Sequence, residues 1–470
     1  MRLKSIFTNS FGILFSRIAG LVRTMLLASV LGQSIYSDMF LVAFKLPNLF
    51  RRIFAEGAFV QAFMPSFVAS RNKGVFAVAT FRRFLLFIVV ASMIVSFFPE
   101  FFTTLIASGL SDETIAATAP LTAITFWYLS LIFIVTFLGT LLQYREHFAT
   151  TAFATVFLNL AMIAALLYYR DDSPQTVTYA LAISVIIGGI LQVLVHIFAI
   201  KKYKLHKLLL GGWKYRKSKD IVSEEKKFNT LFIPAVWGSS TPQINAFLDT
   251  FLASFLVVGS ISALTYANLI FTLPLALIAI AASTALFPSI SKAFANGREA
   301  EAYDNLGKAF WLLFSALSLA MLGGIMFAEP IVWLLFESGK FTEQDTIVTA
   351  KVLTMYMVGL VPFGLVKLFS LYLYASHRQG KAAKIATISL VVNIIASLSL
   401  MKTMGAAGLA LAGSLGGWVL FVLTVREIGT DRIIKIIKSK KLLYLSLGLF
   451  VSALLFYTLN GWLVQLIRHI

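Results

Sequence analysis

The 470-residue sequence contains no cysteine, which excludes disulfides, thiolate nucleophiles and cysteine-ligated metals. Charge is also scarce: 13% of residues are Asp, Glu, Lys or Arg, against about 25% in an ordinary soluble domain. Acidic residues are the scarcer sign, 21 against 40 basic, for a net charge of +19. The five histidines are scattered and no HExxH occurs. Gly-Lys pairs at Gly307, Gly339 and Gly380 lack the glycine and the Ser or Thr of a phosphate-cradling loop. With no catalytic constellation and no fused ATPase, the chain reads as a non-enzyme without a cofactor.

Apolar residues are plentiful, 59% of the chain, and mean hydropathy is +0.86. A water-soluble globule could not bury so much. Nucleic-acid binding is excluded as well, since it needs a solvated basic face. Met1–Phe7 resembles a signal peptide, but Arg17 and Arg23 interrupt the following apolar run and no small-residue cleavage site follows, so a retained first span is expected.

A spanning helix needs about 20 mostly apolar residues. Such segments lie near 6–31, 36–69, 82–107, 118–143, 148–169, 177–200, 229–256, 260–291, 309–327, 346–375, 381–401, 405–425 and 442–460. The expected fold class is therefore an all-α polytopic membrane protein with about 13 transmembrane helices. Basic residues gather in alternate loops, most densely in Lys201–Lys227 and Arg426–Lys441. The positive-inside rule then predicts a cytoplasmic N-terminus and a periplasmic C-terminus. In Lys201–Lys227, Trp213 and Tyr215 alternate with basic residues. Two readings stand: a segment lying on anionic lipid headgroups, or a solvated topology-setting loop.

An internal repeat is visible. Leu27-Ala28-Ser29, Phe44-Lys45-Leu46-Pro47 and Ala62-Phe63-Met64-Pro65-Ser66 recur as Leu252-Ala253-Ser254, Phe271-Thr272-Leu273-Pro274 and Ala285-Leu286-Phe287-Pro288-Ser289. Blocks of six helices keep their orientation, so the repeat implies a parallel pseudo-two-fold axis along the membrane normal. The expected organisation is an N-terminal six-helix lobe (1–200), a basic cytoplasmic linker (201–228), a second six-helix lobe (229–425) around a shared central cavity, and a basic loop with one further helix (426–470).

Several charges fall inside the spans. Arg17 and Arg23 interrupt the first helix, and an Arg at a helix centre costs about 2.5–3.5 kcal/mol on insertion scales. In the second helix Asp38, Lys45 and Arg52 recur every seven residues, with Asn48 and Glu56 on the same stripe and Arg51 beside it. A polar stripe on a spanning helix cannot face lipid. Its basic excess predicts an anionic ligand, and the guanidinium fork suits phosphate. Asp38, Asn48 and Glu56 are expected as gate or charge partners. Later in the chain lie Lys351, Lys367, Asp249, Asn393 and Ser397. The last three could hold a small cation through hard oxygens, or the two neutral residues could simply bond across helices.

The run Phe15–Arg23 and the longer run Ser37–Phe59, which contains Asp38-Met39-Phe40 and Phe44-Lys45-Leu46-Pro47-Asn48-Leu49-Phe50-Arg51-Arg52, resemble the MurJ (MviN) lipid II flippases, as does Gly339-Lys340-Phe341-Thr342. The resemblance runs to about residue 425. It implies the multidrug and polysaccharide exporter fold in a bacterial cytoplasmic membrane. The implied substrate is lipid II, the undecaprenyl-pyrophosphate-linked peptidoglycan precursor, moved from inner to outer leaflet by alternating access. Arg17, Arg23 and Arg51 match the arginines thought to hold the pyrophosphate, with Lys45, Arg52 and Lys367 adding positive field. Other cell-wall synthesis proteins are implied partners, and coupling to Na+, H+ or the membrane potential is expected. The family's sodium site would fall on Asp249, Asn393 and Ser397. Two departures stand out: Tyr266-Ala267-Asn268-Leu269 replaces Tyr-Ala-Asp-Arg, and one helix rather than two follows residue 425. An exporter of another polyprenyl-pyrophosphate oligosaccharide and a non-transporting cell-wall scaffold are the alternative readings.

Overall fold

The computed structural model describes the backbone of residues 3–215, 221–280, 296–376, 378–430 and 440–467, with scattered positions at 282–293 and 434. Side chains at 3–10, 13, 53–56 and some later positions fall outside the description. So do Ala285, Phe287 and Pro288 of the second repeat motif and most of the basic loop 431–439. The described chain is helical, as a lipid-embedded backbone must be to satisfy its own hydrogen bonds.

Ten helices among the described residues are long and apolar enough to cross a membrane. One of them, Gly380–Ile428, is two spans. Gly405 has φ 57°, and a Cβ on Gly408 would sit 2.4 Å from the Leu400 carbonyl oxygen. In a continuous helix residues eight apart are about 12 Å apart, so the chain folds back at Gly405. The expected spans 36–69 and 229–256 are helical too, but they carry the intramembrane charges that dilute their hydropathy.

The structure forms two compact units, residues 1–255 and 256–470. The first contains α1 (Leu3–Leu31), α2 (Ile35–Phe50), a π-helical segment (Arg51–Phe59), α3 (Val60–Ala69), α4 (Lys73–Phe97), α5 (Pro99–Ala107), α6 (Asp112–Phe126), α7 (Tyr128–Tyr144), α8 (Ala149–Tyr168), α9 (Pro174–Lys202), α10 (Leu205–Lys214) and α11 (Ile221–Ala253). Ser34 caps α2 in a reciprocal capping box with Ser37. Met39 and Ala43 then bury against Leu121 of α6 and Ala182 of α9. Phenylalanine builds much of the remaining core: Phe59, Phe63, Phe133 and Phe137 interlock at centroid distances of 5.0–5.5 Å.

The seventh expected span lies in α11, which starts at Ile221 and groups with the first unit. Fully buried Phe228 packs edge-on against Phe59, Phe76 and Phe84. Glu224 accepts hydrogen bonds from Ser70 Oγ (2.7 Å) and the Arg71 amide (3.2 Å), tying the start of α11 to the turn before α4. Part of the basic linker also has a defined place. Helix α10 lies on α4 so closely that a Cβ on Gly212 would meet the Gly74 carbonyl oxygen at 2.0 Å, and Arg82 lies over the Trp213 ring at 5.4 Å.

The second unit contains α12 (Ser260–Pro274), a second π-helical segment (Leu275–Ile280), α13 (Glu299–Met326), α14 (Ala328–Phe336), α15 (Glu343–Met357), α16 (Leu360–Ala375), α17 (Gln379–Ile428) and α18 (Lys440–Ile467). Glycines allow close approach here as well: Gly324 faces Met357 and Gly417 faces Phe363. Helix α18, the additional C-terminal helix, packs on α13 and α14, with Phe456 5.1 Å from Phe327. The internal repeat has a structural counterpart, because a π-helical segment follows each Phe-x-Leu-Pro motif, after Pro47 and after Pro274.

Candidate functional site

The intramembrane basic residues of the first unit form two groups. The first joins α1 to the π-helical segment. Arg23 donates from Nη1 to Asn159 Oδ1 on α8 (3.2 Å) and from Nη2 to Thr24 Oγ1 (3.3 Å). Asn159 in turn donates to the Ser16 carbonyl (3.3 Å), so α8 fixes both the guanidinium and the helix that carries it. Arg23 Nε is buried with no hydrogen-bond partner among the described residues. The positive charges of Arg23 and Arg51 lie close enough to repel, beside the fully buried Tyr128. Like charges held together in low dielectric are unfavourable unless an anion joins them.

The second group is Lys45, Arg52 and Asp249. Lys45 feels the attraction of Asp249 on α11 and the repulsion of Arg52. Asp249 and Lys45 therefore lie close enough within the first unit for their opposite charges to attract. The two were read separately from the sequence, with Asp249 grouped with Asn393 and Ser397. Those two belong to the second unit, where they are buried and Ser397 Oγ donates to Asn393 Oδ1 (3.3 Å). No cluster of three His, Cys, Asp or Glu side chains suited to a metal occurs among the described residues.

The other expected site residues divide. Asp38 is buried in the first turn of α2, where the helix dipole favours an acid. Asn48 donates to the Phe44 carbonyl (2.9 Å), a bond within its own helix. Arg52 is exposed and Arg51 half-buried, while the Glu56 side chain lies outside the described residues. Arg17 is exposed on α1, about 120° round the helix from Arg23. Lys351 and Lys367 are exposed on α15 and α16. Leu269, at the position of the family arginine, is half-buried on α12 beside exposed Asn268.

Sequence reasoning missed two polar supports. Pro47 has no N–H, so the Ala43 carbonyl loses its helical donor. Thr125 Oγ1 of α6 supplies that hydrogen bond (2.8 Å), and this lets α2 carry proline beside its arginines. Asn159 is the second, a lone amide on an apolar helix whose role depends on a partner 136 residues away. The π-helical turn that carries Arg51 and Arg52 was also unread; such turns concentrate at functional sites.

The family model for the lipid II flippase MurJ matches residues 27–468. The chain is 46% identical over 454 residues to the probable lipid II flippase MurJ of Helicobacter pylori strain 26695, covering 94% of this chain and 98% of that protein. It is 33% identical over 429 residues to the lipid II flippase MurJ of Burkholderia cenocepacia, covering 88% and 81%. A solved lipid II flippase MurJ in an inward closed conformation superposes with a TM-score of 0.77 at 25% identity, over 98% of this chain and 99% of that one. An inward-facing multidrug exporter of the MATE family, 15% identical with a TM-score of 0.69 over 93% and 99%, shares the fold. With a family model over nearly its whole length and a relative of near-equal span at 46% identity, this multi-pass bacterial membrane protein belongs to the MurJ lipid II flippase family.

Proposed function

We propose that the protein moves lipid II from the inner to the outer leaflet of the cytoplasmic membrane by alternating access, acting as a transporter rather than an enzyme. The observation that carries the binding site is the Arg23–Arg51 pair: two cations within the spans, close enough to repel, one of them anchored by Asn159. A pyrophosphate offers oxygens to both guanidinium forks and removes their repulsion. Exposed Arg17, Arg52 and Lys367, with half-buried Lys45, add field that draws the headgroup in. The Lys45–Asp249 pair tethers α2 to α11, and Asp38 acts as a charge partner at the opposite end of α2. Sodium at Asn393 and Ser397, a proton, or the membrane potential supplies the coupling. Helix α10 rests on anionic headgroups through Lys207 and Lys214, with other cell-wall synthesis proteins nearby. The N-terminus is cytoplasmic and the C-terminus periplasmic.

The test is complementation in cells depleted of their own flippase, paired with a leaflet-resolved lipid II accessibility assay. Wild-type protein should restore growth and outward lipid II. Arg23→Ala and Arg51→Ala should each abolish both, and Arg17→Ala should reduce them. Normal rates with all three variants would overturn the assignment.

A further inference from the structure

A second polar site lies in the first unit, between α7, α8 and α9. A cavity of about 230 Å³ is lined by Thr136, Thr140, Gln143, Thr151, Thr155 and Gln192, an unusual concentration of hydrogen-bonding groups on otherwise apolar spans. It is large enough for several water molecules, and the hydroxyls and amides on its wall offer them hydrogen-bond partners. Beside it sits His196, fully buried on α9. Its Nδ1 is 2.8 Å from the Gln192 carbonyl oxygen. A carbonyl can only accept, so Nδ1 carries the hydrogen and Nε2 presents a lone pair. That Nε2 is buried without a hydrogen-bond partner among the described residues, as is Thr151 Oγ1 on the cavity wall. Both atoms flank Gly139, where a Cβ would stand 2.8 Å from Thr151 Oγ1 and 3.5 Å from His196 Nε2. Glycine thus lets α7 approach closely enough to bring the Thr151 hydroxyl and the His196 ring to the same point on its surface.

The ring is also connected toward an end of the spans. His147, in the turn between α7 and α8, lies close enough for its charge to bear on His196. Its own nitrogens lie 2.8 Å from the Tyr203 hydroxyl and 2.7 Å from Thr150 Oγ1. From α7 the Tyr128 hydroxyl donates to Gln192 Oε1 (3.3 Å), one turn before His196.

We propose that His196 and this hydrated cavity form a proton-binding site, loaded from the side of the membrane where His147, Lys201 and Lys202 lie. A hydronium ion gives its proton to Nε2 and leaves a water in the cavity. The imidazolium keeps Nδ1–H on the Gln192 carbonyl, and its new Nε2–H points toward the Thr151 hydroxyl and the cavity water. The site deepens the proton-coupling part of the reading above and rests on it only for its purpose, since proton uptake belongs to the protein alone.

The experiment is nuclear magnetic resonance of the full chain in lipid bilayers, with isotope-labelled histidine and His147, His206, His377 and His469 replaced by Gln, so that His196 is the sole ring observed. Between roughly pH 4.5 and 8.5 the ring should pass from the neutral Nδ1–H form to the doubly protonated form, with magnetisation transfer from water to its nitrogens. Gly139→Ala, whose methyl would press on the Thr151 hydroxyl, and Thr151→Val, which removes the hydroxyl, should each weaken proton affinity about tenfold, one pH unit in midpoint. Should Gly139→Ala fail to fold, Thr151→Val carries the comparison. A ring that stays neutral throughout, or that titrates identically in the single-histidine parent and its folded variants, overturns the proposal. Lipid II movement is not read here, so failure of the flippase reading and failure of the proton site are seen separately.

Discussion

Arg23 owes its position to a neutral side chain. Asn159 holds the guanidinium on one side and the Ser16 carbonyl on the other, and a hydrogen bond to a charged group is worth about 1.5–3 kcal/mol. Asn159→Leu should therefore weaken lipid II binding by about tenfold or more while leaving Arg23 present; titration of lipid II against the purified variant by native mass spectrometry measures it. His147 offers a second test outside the spans. Burial, and then the neighbouring Lys202 ammonium, holds its imidazole below the usual 6.5. A depressed folded-state value means the unfolded chain binds the proton more readily. The stability His147 contributes is present above about pH 6.5 and is lost as pH falls through the depressed value. Thermal unfolding between about pH 5 and 8 should show that loss in wild type and less of it in His147→Gln.

At the scale of the element, α2 shows how a span tolerates proline. The Ala43 carbonyl is buried and served by Thr125 from another helix. Thr125→Val should leave it unsatisfied and cost about 1–3 kcal/mol, seen as a lower melting temperature in detergent. In a Pro47→Ala background the helix supplies its own donor, so the same substitution should cost much less. Additive losses in that double-mutant cycle would refute the coupling. This bond was illegible in the sequence because threonine on an apolar helix looks the same whether it bonds its own turn or a neighbour. The charges were legible because each is anomalous alone: Arg23, Lys45, Arg51 and Asp249 stand out on apolar spans whatever they face. Their pairing was not, and Lys45 with Asp249 emerges only once Phe228 and its neighbours place α11 against the first unit. The π-helical segment was hidden for another reason, since α and π turns draw on the same residues.

Across the whole molecule, the span count, the repeat and the alternating loop charge could all be read from residue patterns, because hydropathy and positive charge act on topology through local sequence. Where the ends lie is a direct experimental question. The chain lacks cysteine, so single cysteines can be introduced into an otherwise unreactive background. Cysteines at Gln33 and Ser111 should react with an impermeant thiol reagent in intact cells, and one at Lys207 should react only after permeabilisation. The reverse pattern would invert the topology.

The paired π-helical segments also carry history. A π turn arises most simply when one residue is inserted into an existing α-helix, and this one follows a proline in both repeats, after Pro47 and after Pro274. The segments start four residues after Pro47 and one after Pro274, so they overlap rather than coincide; two independent insertions so near each other require two coincidences, whereas one insertion before gene duplication requires none. By that count the widened turn is older than the arginines that now distinguish the first repeat from the second.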